Sequence, residues 1–432
     1  MISSIEELYR YFLKHPQIST DSRAISEGSI FLALKGENFN GNKFALQALN
    51  QGCSLAVVDD IKLEDIDRCF FVENVLNTLH ALAKLHRKKL NIPIIGITGT
   101  NGKTTTKELI NAVLSKKFKI YSTKGNLNNH IGVPLSILSI NNDVEIAVIE
   151  MGANHLGEIE NLCKISNPNY GLITNIGIAH LEGFGSFEGV VEAKTELYRH
   201  LLDQPKAITF VYHDDALLMN KSESLRRYTY GFTDKANVQF NKTNSDIFAV
   251  TNWQIKGKGL TINSKLIGDY NVPNIMAAIC IGHFFEVPEL FIKEAIEEYE
   301  PKNQRSQLLQ TTNNRLIVDA YNANPSSMLK AIDNFKMVKA DQKILILGDM
   351  LELGSRSQSL HQDIVDHISK TGIKNVILIG SQFSLCELKS NWVHYKTTDQ
   401  ALDYLSSNKI KNCTILLKGS RGMRLEKLIE TL

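Results

Sequence analysis

At 432 residues the chain has room for about three domains of roughly 150 residues each. Its 48 Lys and Arg nearly cancel 46 Asp and Glu, and the net charge of +2 argues against a nucleic-acid-coating protein or an acidic-tailed one, either of which leaves a lopsided sum. Hydrophobic residues at 43% and charged residues at 22% form an ordinary globular mixture, which disfavours disorder and lets each domain bury a core.

Glu6 and Glu7 stand ahead of any apolar run, so no secretory signal is expected. The longest apolar stretches, such as IAVI at 146–149 and ILIL at 344–347, are strand-length and fall short of the ~18 residues of a membrane span. Six cysteines, Cys53 and Cys69 among the nearest neighbours, show neither CxxC nor zinc spacing with histidine. They read as reduced thiols, and a cytoplasmic location is expected.

The spacing predicts strands at SIFLALKG (29–36), SLAVVDD (54–60) and RCFFVEN (68–74), then an amphipathic helix at NTLHALAKLHRKKL (77–90). Pro93 follows that helix and marks a domain boundary, giving a small α/β domain at 1–92. From there the pattern becomes apolar strand, glycine turn, helix. PIIGITG leads into a helix near 103–117, and VEIAVIE (144–150) and YGLITNIG (170–177) are continuous apolar strands, as buried parallel strands are. Between about 205 and 265 come shorter β-like pieces, KAITFVYH, RRYTYGF and DIFAV, before helices resume at NVPNIMAAICIGHFF and FIKEAIEEYE. This central region, 93–304, is expected to be a mostly parallel sheet flanked by helices. A polar hinge at Pro301–Gln307 separates it from RLIVDAY, KILILGDM, KNVILIG and CTILLKG, the strands of a smaller Rossmann-like domain at 305–432. The fold class is therefore α/β in three domains.

The sharpest local feature is Gly96-Ile-Thr-Gly99-Thr-Asn-Gly102-Lys103-Thr104-Thr-Thr. A buried strand ending in a glycine turn that opens a helix aims backbone N–H groups and the positive helix end at a phosphate. Lys103 reaches β/γ-phosphates and the Thr104 hydroxyl suits Mg²⁺. The standard phosphate loop has its first glycine where Ile97 stands, so the match is a variant, and a glycine turn with a chance Gly-Lys-Thr is the plainer alternative. Glu150 ends its strand at the carboxyl edge, where open α/β sheets place ligands and a carboxylate can hold Mg²⁺. His180 follows YGLITNIG in the same relation, either beside Glu150 or as a polar loop histidine.

Lys194 interrupts an apolar helix face formed by Phe187, Val190, Val191, Leu197, Tyr198 and Leu201. Burial there disfavours the ammonium and leaves a nucleophilic amine able to take up CO₂ as a carbamate, an anionic metal ligand. A lysine snorkelling from the helix edge is the alternative.

Together TGTNGKTTT (98–106), NLNNHIGVP (126–134), EMGANHLGEI (150–159), TNIGIAHLEGFGS (174–186), GDYNVPN (268–274), DAYNANPSSM (319–328), LGDMLELG (347–354) and KGSRG (418–422) resemble the Mur ligase family. EMGANHLGEI, DAYNANP and LGDMLELG resemble in particular its members that add D-alanyl-D-alanine to a UDP-N-acetylmuramoyl tripeptide in peptidoglycan precursor synthesis. The resemblance runs from Thr20 to Arg424.

It implies an ADP-forming ligase that works through an acyl phosphate, with ATP and two Mg²⁺. Gly99, Thr100, Asn101, Gly102, Lys103, Thr104 and Thr105 would hold ATP phosphates, Asn274, Arg305 and Asp319 the adenine, ribose and phosphate. Thr104 would bind one metal ion, and Glu150, His180 and carbamylated Lys194 the second. Asn128 and Asn129 would face the γ-phosphate and the substrate carboxylate. Lys103, Asn128, Asn129, His180 and Lys194 form the implied catalytic set. Thr20, Asp21, Ser22, Arg23, Lys35 and Asn38 would take the UDP-sugar, Arg23 and Lys35 suiting its diphosphate. Tyr321, Asn322, Asn324, Ser326, Asp349 and the run Lys418–Arg421 would line the dipeptide side of the cleft. Asp349 ends a strand where a ligand-facing carboxylate is expected, whereas Glu352 in the same loop could be a solvated surface charge. Water would destroy an acyl phosphate, so the last domain should close over the site, pivoting near Pro301–Gln307. A monomer acting on small molecules, with no nucleic acid and no membrane span, is expected.

A folylpolyglutamate synthase is the nearest rival, but it has no UDP-sugar domain to match the first ninety residues. A nucleotide-driven switch or motor would need neither a buried lysine nor a second ligand-lining domain.

Overall fold

In a computed structural model of the chain, residues 4–243, 247–255, 257–302 and 304–432 are described. They form two compact units.

The first unit takes in residues 4–97, 118–152 and 158–170. Its four-stranded parallel sheet runs in the order Ile18–Ser19, Ile30–Leu32, Leu55–Val58, Cys69–Phe71. Phe31, Ala56 and Val58 pack there with Ala45, Ala48 and Leu49 of the helix Ala45–Asn50. A second, parallel set is Ile94–Thr98, Ile146–Glu150, Ile120–Ser122. The predicted helix at 77–90 spans Val75–Lys89, capped by Asn74, whose side chain accepts from the Asn77 amide at 2.8 Å. It packs on the helices Ile5–Lys14, Gly132–Leu138 and Glu158–Ser166. His86 receives or donates at both ring nitrogens, to the Tyr9 hydroxyl at 3.1 Å and the Ile140 carbonyl at 2.8 Å, and Arg87 donates to the Ser166 carbonyl at 2.8 Å. These contacts hold segments beyond Pro93 in the same compact unit. The helix Ile5–Lys14 is not among the predicted elements, although Ser4 caps it and Glu6 and Glu7 occupy its first turn, where they suit the helix dipole.

The second unit takes in residues 98–117, 153–157 and 171–432. Ile208–Tyr212, Arg227–Gly231 and Val238–Asn241 pair in parallel, and then Phe248–Ile255 and Lys258–Ile267 turn back antiparallel. The last strand escapes a sequence reading because Ser264 stands at an inward position. Its hydroxyl is buried and donates to the Ala249 carbonyl at 2.7 Å. The expected strand DIFAV is in fact the start of Phe248–Ile255, and its Asp246 lies outside the described residues.

The C-terminal sheet runs Gln307–Gln310, Arg315–Asp319, Thr414–Lys418, Lys343–Gly348, Asn375–Ile379, Val393–Tyr395, parallel except for its first strand. Two apolar clusters cover its faces, one around Ile317, Leu345, Leu347 and Phe335, the other around Leu316, Val318, Ile346 and Leu417. In the expected hinge, Gln304 and Ser306 both have left-handed backbone (φ 58° and 48°), a conformation non-glycine residues adopt at a cost, while Asn303 lies outside the described residues. Among the described residues no helix is long and apolar enough to cross a membrane, and all six cysteines are free thiols.

Candidate active site

The strand Ile94–Thr98 is buried along its whole length and ends in the glycine turn that opens the helix Lys103–Leu114. Two of the glycines are obligatory. Gly99 has φ 140°, and a Cβ there would sit 2.1 Å from Thr174 Oγ1. Gly102, the helix N-cap, has φ 78°, and its Cβ would lie 2.6 Å from Asn274 Oδ1. Gly102→Ala is expected to cost about 1–2 kcal/mol of stability from the left-handed backbone alone and to raise the KM for ATP by ~10-fold as Asn274 is pushed aside. Thermal unfolding together with ATP saturation kinetics checks this.

The loop is clamped from the segment after the strand Tyr170–Ile173. The Thr100 amide donates to the Asn175 carbonyl at 2.9 Å, and the Asn101 amide to Asn175 Oδ1 at 3.1 Å. Thr174 Oγ1 and Asn175 Nδ2 both donate to the Asn101 carbonyl, at 2.6 and 2.9 Å. Lys103 folds its ammonium back over the loop, donating to the Gly99 carbonyl at 2.6 Å and the Thr100 carbonyl at 3.1 Å. Thr104 and Thr105 are buried in the first helical turn. Thr174 and Asn175 were missing from the predicted set. Their signal was present, since polar residues directly follow an apolar strand at its carboxyl end.

The C-terminal domain reaches the same loop. Asn324 caps the helix Pro325–Met337, its Oδ1 accepting from the Ser327 amide at 2.9 Å, while its Nδ2 donates to Asn101 Oδ1 at 2.8 Å. Ser326 Oγ accepts from the Ile178 amide at 3.1 Å. His180 also has left-handed backbone (φ 51°), and its Nδ1 hydrogen-bonds the Glu352 carboxylate. Glu352 is thus a partner of His180 and not a free surface charge, and the His180 hydrogen bond holds its carboxyl below the usual range.

Lys194 lies in the helix Phe187–Leu202 at 2% exposure, which removes the snorkelling alternative. Its Nζ donates to the Ala153 carbonyl at 3.2 Å and stands 5.2 Å from the centre of the Phe184 ring.

In the first unit Glu150 is 1% exposed, and Asn128 Nδ2 donates to its Oε1 at 2.9 Å. Asn129 instead serves its own turn, Oδ1 accepting from the Gly132 amide at 2.9 Å. Arg23 and Lys35 are not free cations. Arg23 pairs with Asp21 at 2.8 Å and holds that carboxyl at about 2, and Lys35 pairs with Asp59 at 2.9 Å. Thr20, Ser22 and Asn38 lie along the same segments, Ser22 buried and Asn38 exposed in the turn between Lys35–Gly36 and Phe39–Asn40.

Around the hinge, Asn274 Nδ2 donates to Asn271 Oδ1 at 2.9 Å, and the Ser306 amide to Asp319 Oδ1 at 3.4 Å. Lys418, 1% exposed, pairs with Asp319 Oδ2 at 2.6 Å. Arg305 stacks on Tyr321, and the Asn322 carbonyl accepts from Lys418 at 3.3 Å. Asp349 departs from expectation. It is 2% exposed, and its two oxygens accept from the Gln382 and Phe383 amides at 2.8 and 3.1 Å. The turn after Asn375–Ile379 has taken up the carboxylate that the strand end was expected to offer a ligand.

The Thr104 hydroxyl and the His180 imidazole in the second unit, and the Glu150 carboxylate in the first, are each a donor type that magnesium accepts. Among the described residues no group of three or more His, Cys, Asp or Glu is gathered, and neither expected set, Thr104 for one ion or Glu150, His180 and Lys194 for the other, contains three such residues.

Three family models match the chain, the "Mur ligase family, catalytic domain" over residues 16–97, the "Mur ligase middle domain" over 97–282, and the "Mur ligase, glutamate ligase domain" over 304–421. A Bacillus subtilis protein, UDP-N-acetylmuramoyl-tripeptide--D-alanyl-D-alanine ligase, is 34% identical over 100% of this chain and 98% of its own. Among solved structures, MurF from Acinetobacter baumannii is similar with a TM-score of 0.84 and 29% identity, covering 96% of this chain and 92% of that one. MurF from Thermotoga maritima in complex with ADP reaches 0.84 at 26% identity, covering 96% of each.

Proposed function

Because the chain belongs to the Mur ligase family, we propose that it joins D-alanyl-D-alanine to the free carboxylate of a UDP-N-acetylmuramoyl tripeptide at the expense of ATP. Membership brings the three-domain architecture, N-terminal, central ATP-binding and C-terminal Rossmann-like, and an ATP-dependent ligase activity. The choice of dipeptide is carried by the full-length likeness to ligases of that name. In this reading residues 1–92 take the UDP-sugar, 93–304 the ATP and metal, and 305–432 close the site and receive the dipeptide.

A carboxylate and an amine do not condense at neutral pH, so the carboxylate oxygen first attacks the γ-phosphorus, ADP leaves, and an acyl phosphate forms. Phosphoryl transfer is catalysed mainly by positioning and charge neutralisation. The loop amides and Lys103 supply both. Lys103 gives up its carbonyl contacts for the phosphate oxygens. Asn128 orients Glu150, and Glu352 fixes the His180 ring through Nδ1, as carboxylates do for metal-bound histidines. Thr104 would hold one magnesium ion and Glu150, His180 and carbamylated Lys194 a second, and magnesium when bound neutralises phosphate charge. In Lys194 the neutral amine forms an N–C bond to CO₂ and releases one proton, giving the carbamate. Arg23 and Lys35 exchange Asp21 and Asp59 for the substrate diphosphate. The dipeptide amine then attacks the acyl carbon and phosphate leaves through a tetrahedral intermediate. The Asn324 and Ser326 contacts seat the C-terminal domain against the loop and keep water from the acyl phosphate.

Mass spectrometry of the product tests this. UDP-N-acetylmuramoyl tripeptide should gain one dipeptide as ATP becomes ADP and phosphate. Coupling of a single amino acid such as D-glutamate instead would move the enzyme to another branch of the family.

A further inference from the structure

The loop 349–356, between the strand Lys343–Gly348 and the helix Ser357–Ser369, brings Glu352 to His180. It is pinned at three points. The Asp349 carboxylate takes the Gln382 and Phe383 amides, the Leu351 amide donates to Ser420 Oγ at 2.9 Å, and the Met350 amide donates to Nε2 of His361 at 3.0 Å. His361 is fully buried in the first turns of that helix, and its Nδ1 donates to the Ser357 carbonyl at 2.7 Å. An amide N–H can only donate, so Nε2 keeps a lone pair, Nδ1 carries the proton, and the ring is neutral. Asp349 Oδ1, 3.7 Å from Nε2, favours the charged ring, but burial outweighs it and lowers the His361 pKa. Met350 and Leu353 pack in the same apolar cluster as Leu181, the chain neighbour of His180. Glu352 itself has left-handed backbone (φ 63°), which a glutamate keeps only when its surroundings hold it there.

We propose that His361 is a positioning residue of the ligase reaction: by accepting the Met350 amide it sets the path of residues 350–352, and so holds the Glu352 carboxylate on Nδ1 of His180. This rests on the ligase reading above. The Glu352 hydrogen bond keeps the His180 proton on Nδ1 and leaves Nε2 with its lone pair, the form of imidazole that ligates a metal. His361 acts on that ring only through the backbone of the loop. Its neighbours in the helix show that packing alone does not call for histidine. Leu360, Ile364 and Ile368 fill the core with apolar side chains, whereas an apolar side chain at 361 would leave the buried Met350 amide unpaired.

Two polar variants separate the roles of the ring nitrogens. His361→Gln keeps an acceptor near the place of Nε2, while His361→Asn keeps a polar group only near that of Nδ1. With asparagine, kcat should fall by ~10–100-fold and the Mg²⁺ concentration for half activity should rise by ~10-fold, with the KM for ATP within about twofold. Glutamine should stay within about threefold of the parent. Because the effect runs through Glu352, adding His361→Asn to Glu352→Ala should change kcat by less than about twofold. Losses that multiply in the double variant, or a glutamine variant as impaired as the asparagine one, would reduce His361 to packing and overturn the proposal. ¹⁵N spectra of labelled histidine in the metal-free parent read the same contact whether or not the variants fold. His361 and His180 should both be Nδ1–H tautomers there, and His180 should lose that fixed tautomer in His361→Asn. A proton on Nε2 of His361 would overturn the proposal. A parent that does not join tripeptide and dipeptide would refute the ligase reading itself, and the spectra tell that failure from a wrong assignment of His361.

Discussion

Lys103→Ala is expected to lower kcat by ~10³-fold with little change in folding. Lys103 is the first residue of its helix, a position alanine fills well, so the variant should keep its unfolding midpoint. The loss is electrostatic. The ammonium lies over the loop, 2.6 Å from the Gly99 carbonyl and 3.1 Å from that of Thr100, and in the proposed mechanism it exchanges these carbonyls for phosphate oxygens. Removing one such group from a pre-formed site typically costs ~10²–10³-fold in rate, and transfer of a highly charged phosphoryl group is at the upper end. Lys103→Arg should recover little, because the planar guanidinium cannot occupy the point between two carbonyls that an ammonium does. Single-turnover phosphate release measures the effect directly, and a rate within about tenfold of the parent would remove Lys103 from the transition state.

Lys194→Ala should lose ~10²-fold or more in kcat, because the proposed carbamate would bind magnesium and its loss takes a ligand from the metal. A fully active variant would contradict the assignment. Two further readings separate chemistry from packing. The parent enzyme supplied with ¹³C-bicarbonate should show a carbamate carbon signal that the alanine variant lacks. Small carboxylates such as acetate, entering the space the side chain leaves, should restore part of the activity. Burial at 2% exposure is the structural fact behind this expectation, since burial disfavours a charged ammonium.

What the sequence made legible was local. The phosphate loop was readable because strand, glycine turn and helix follow one another within a dozen residues and each has its own chemical signature. Lys194 was readable as a break in a helical period, and its burial removes the snorkelling reading. The contacts that complete the site join residues far apart in the chain, and no local pattern announces them. Asn101 meets Asn324 across 223 positions, and His180 meets Glu352 across 172. Glu352 therefore passed as surface charge. Asp349 shows the opposite failure. Its place after an apolar strand pointed outward, yet two amides of a neighbouring turn captured the carboxylate, a competition that depends on the geometry of residues 382 and 383. The boundary at Pro93 was read from a proline after the helix, whereas the long-range contacts that hold residues 118–152 and 158–170 to the first unit, His86 to the Ile140 carbonyl and Arg87 to that of Ser166, leave no local mark.

The central claim is that ATP is spent to activate a tripeptide carboxylate for attack by a dipeptide. Phosphate release, measured with UDP-N-acetylmuramoyl tripeptide and D-alanyl-D-alanine supplied singly and together, tests it most directly. Sustained release only when both are present is the predicted result. Sustained release with ATP alone, or with the tripeptide and a single amino acid in place of the dipeptide, would contradict it.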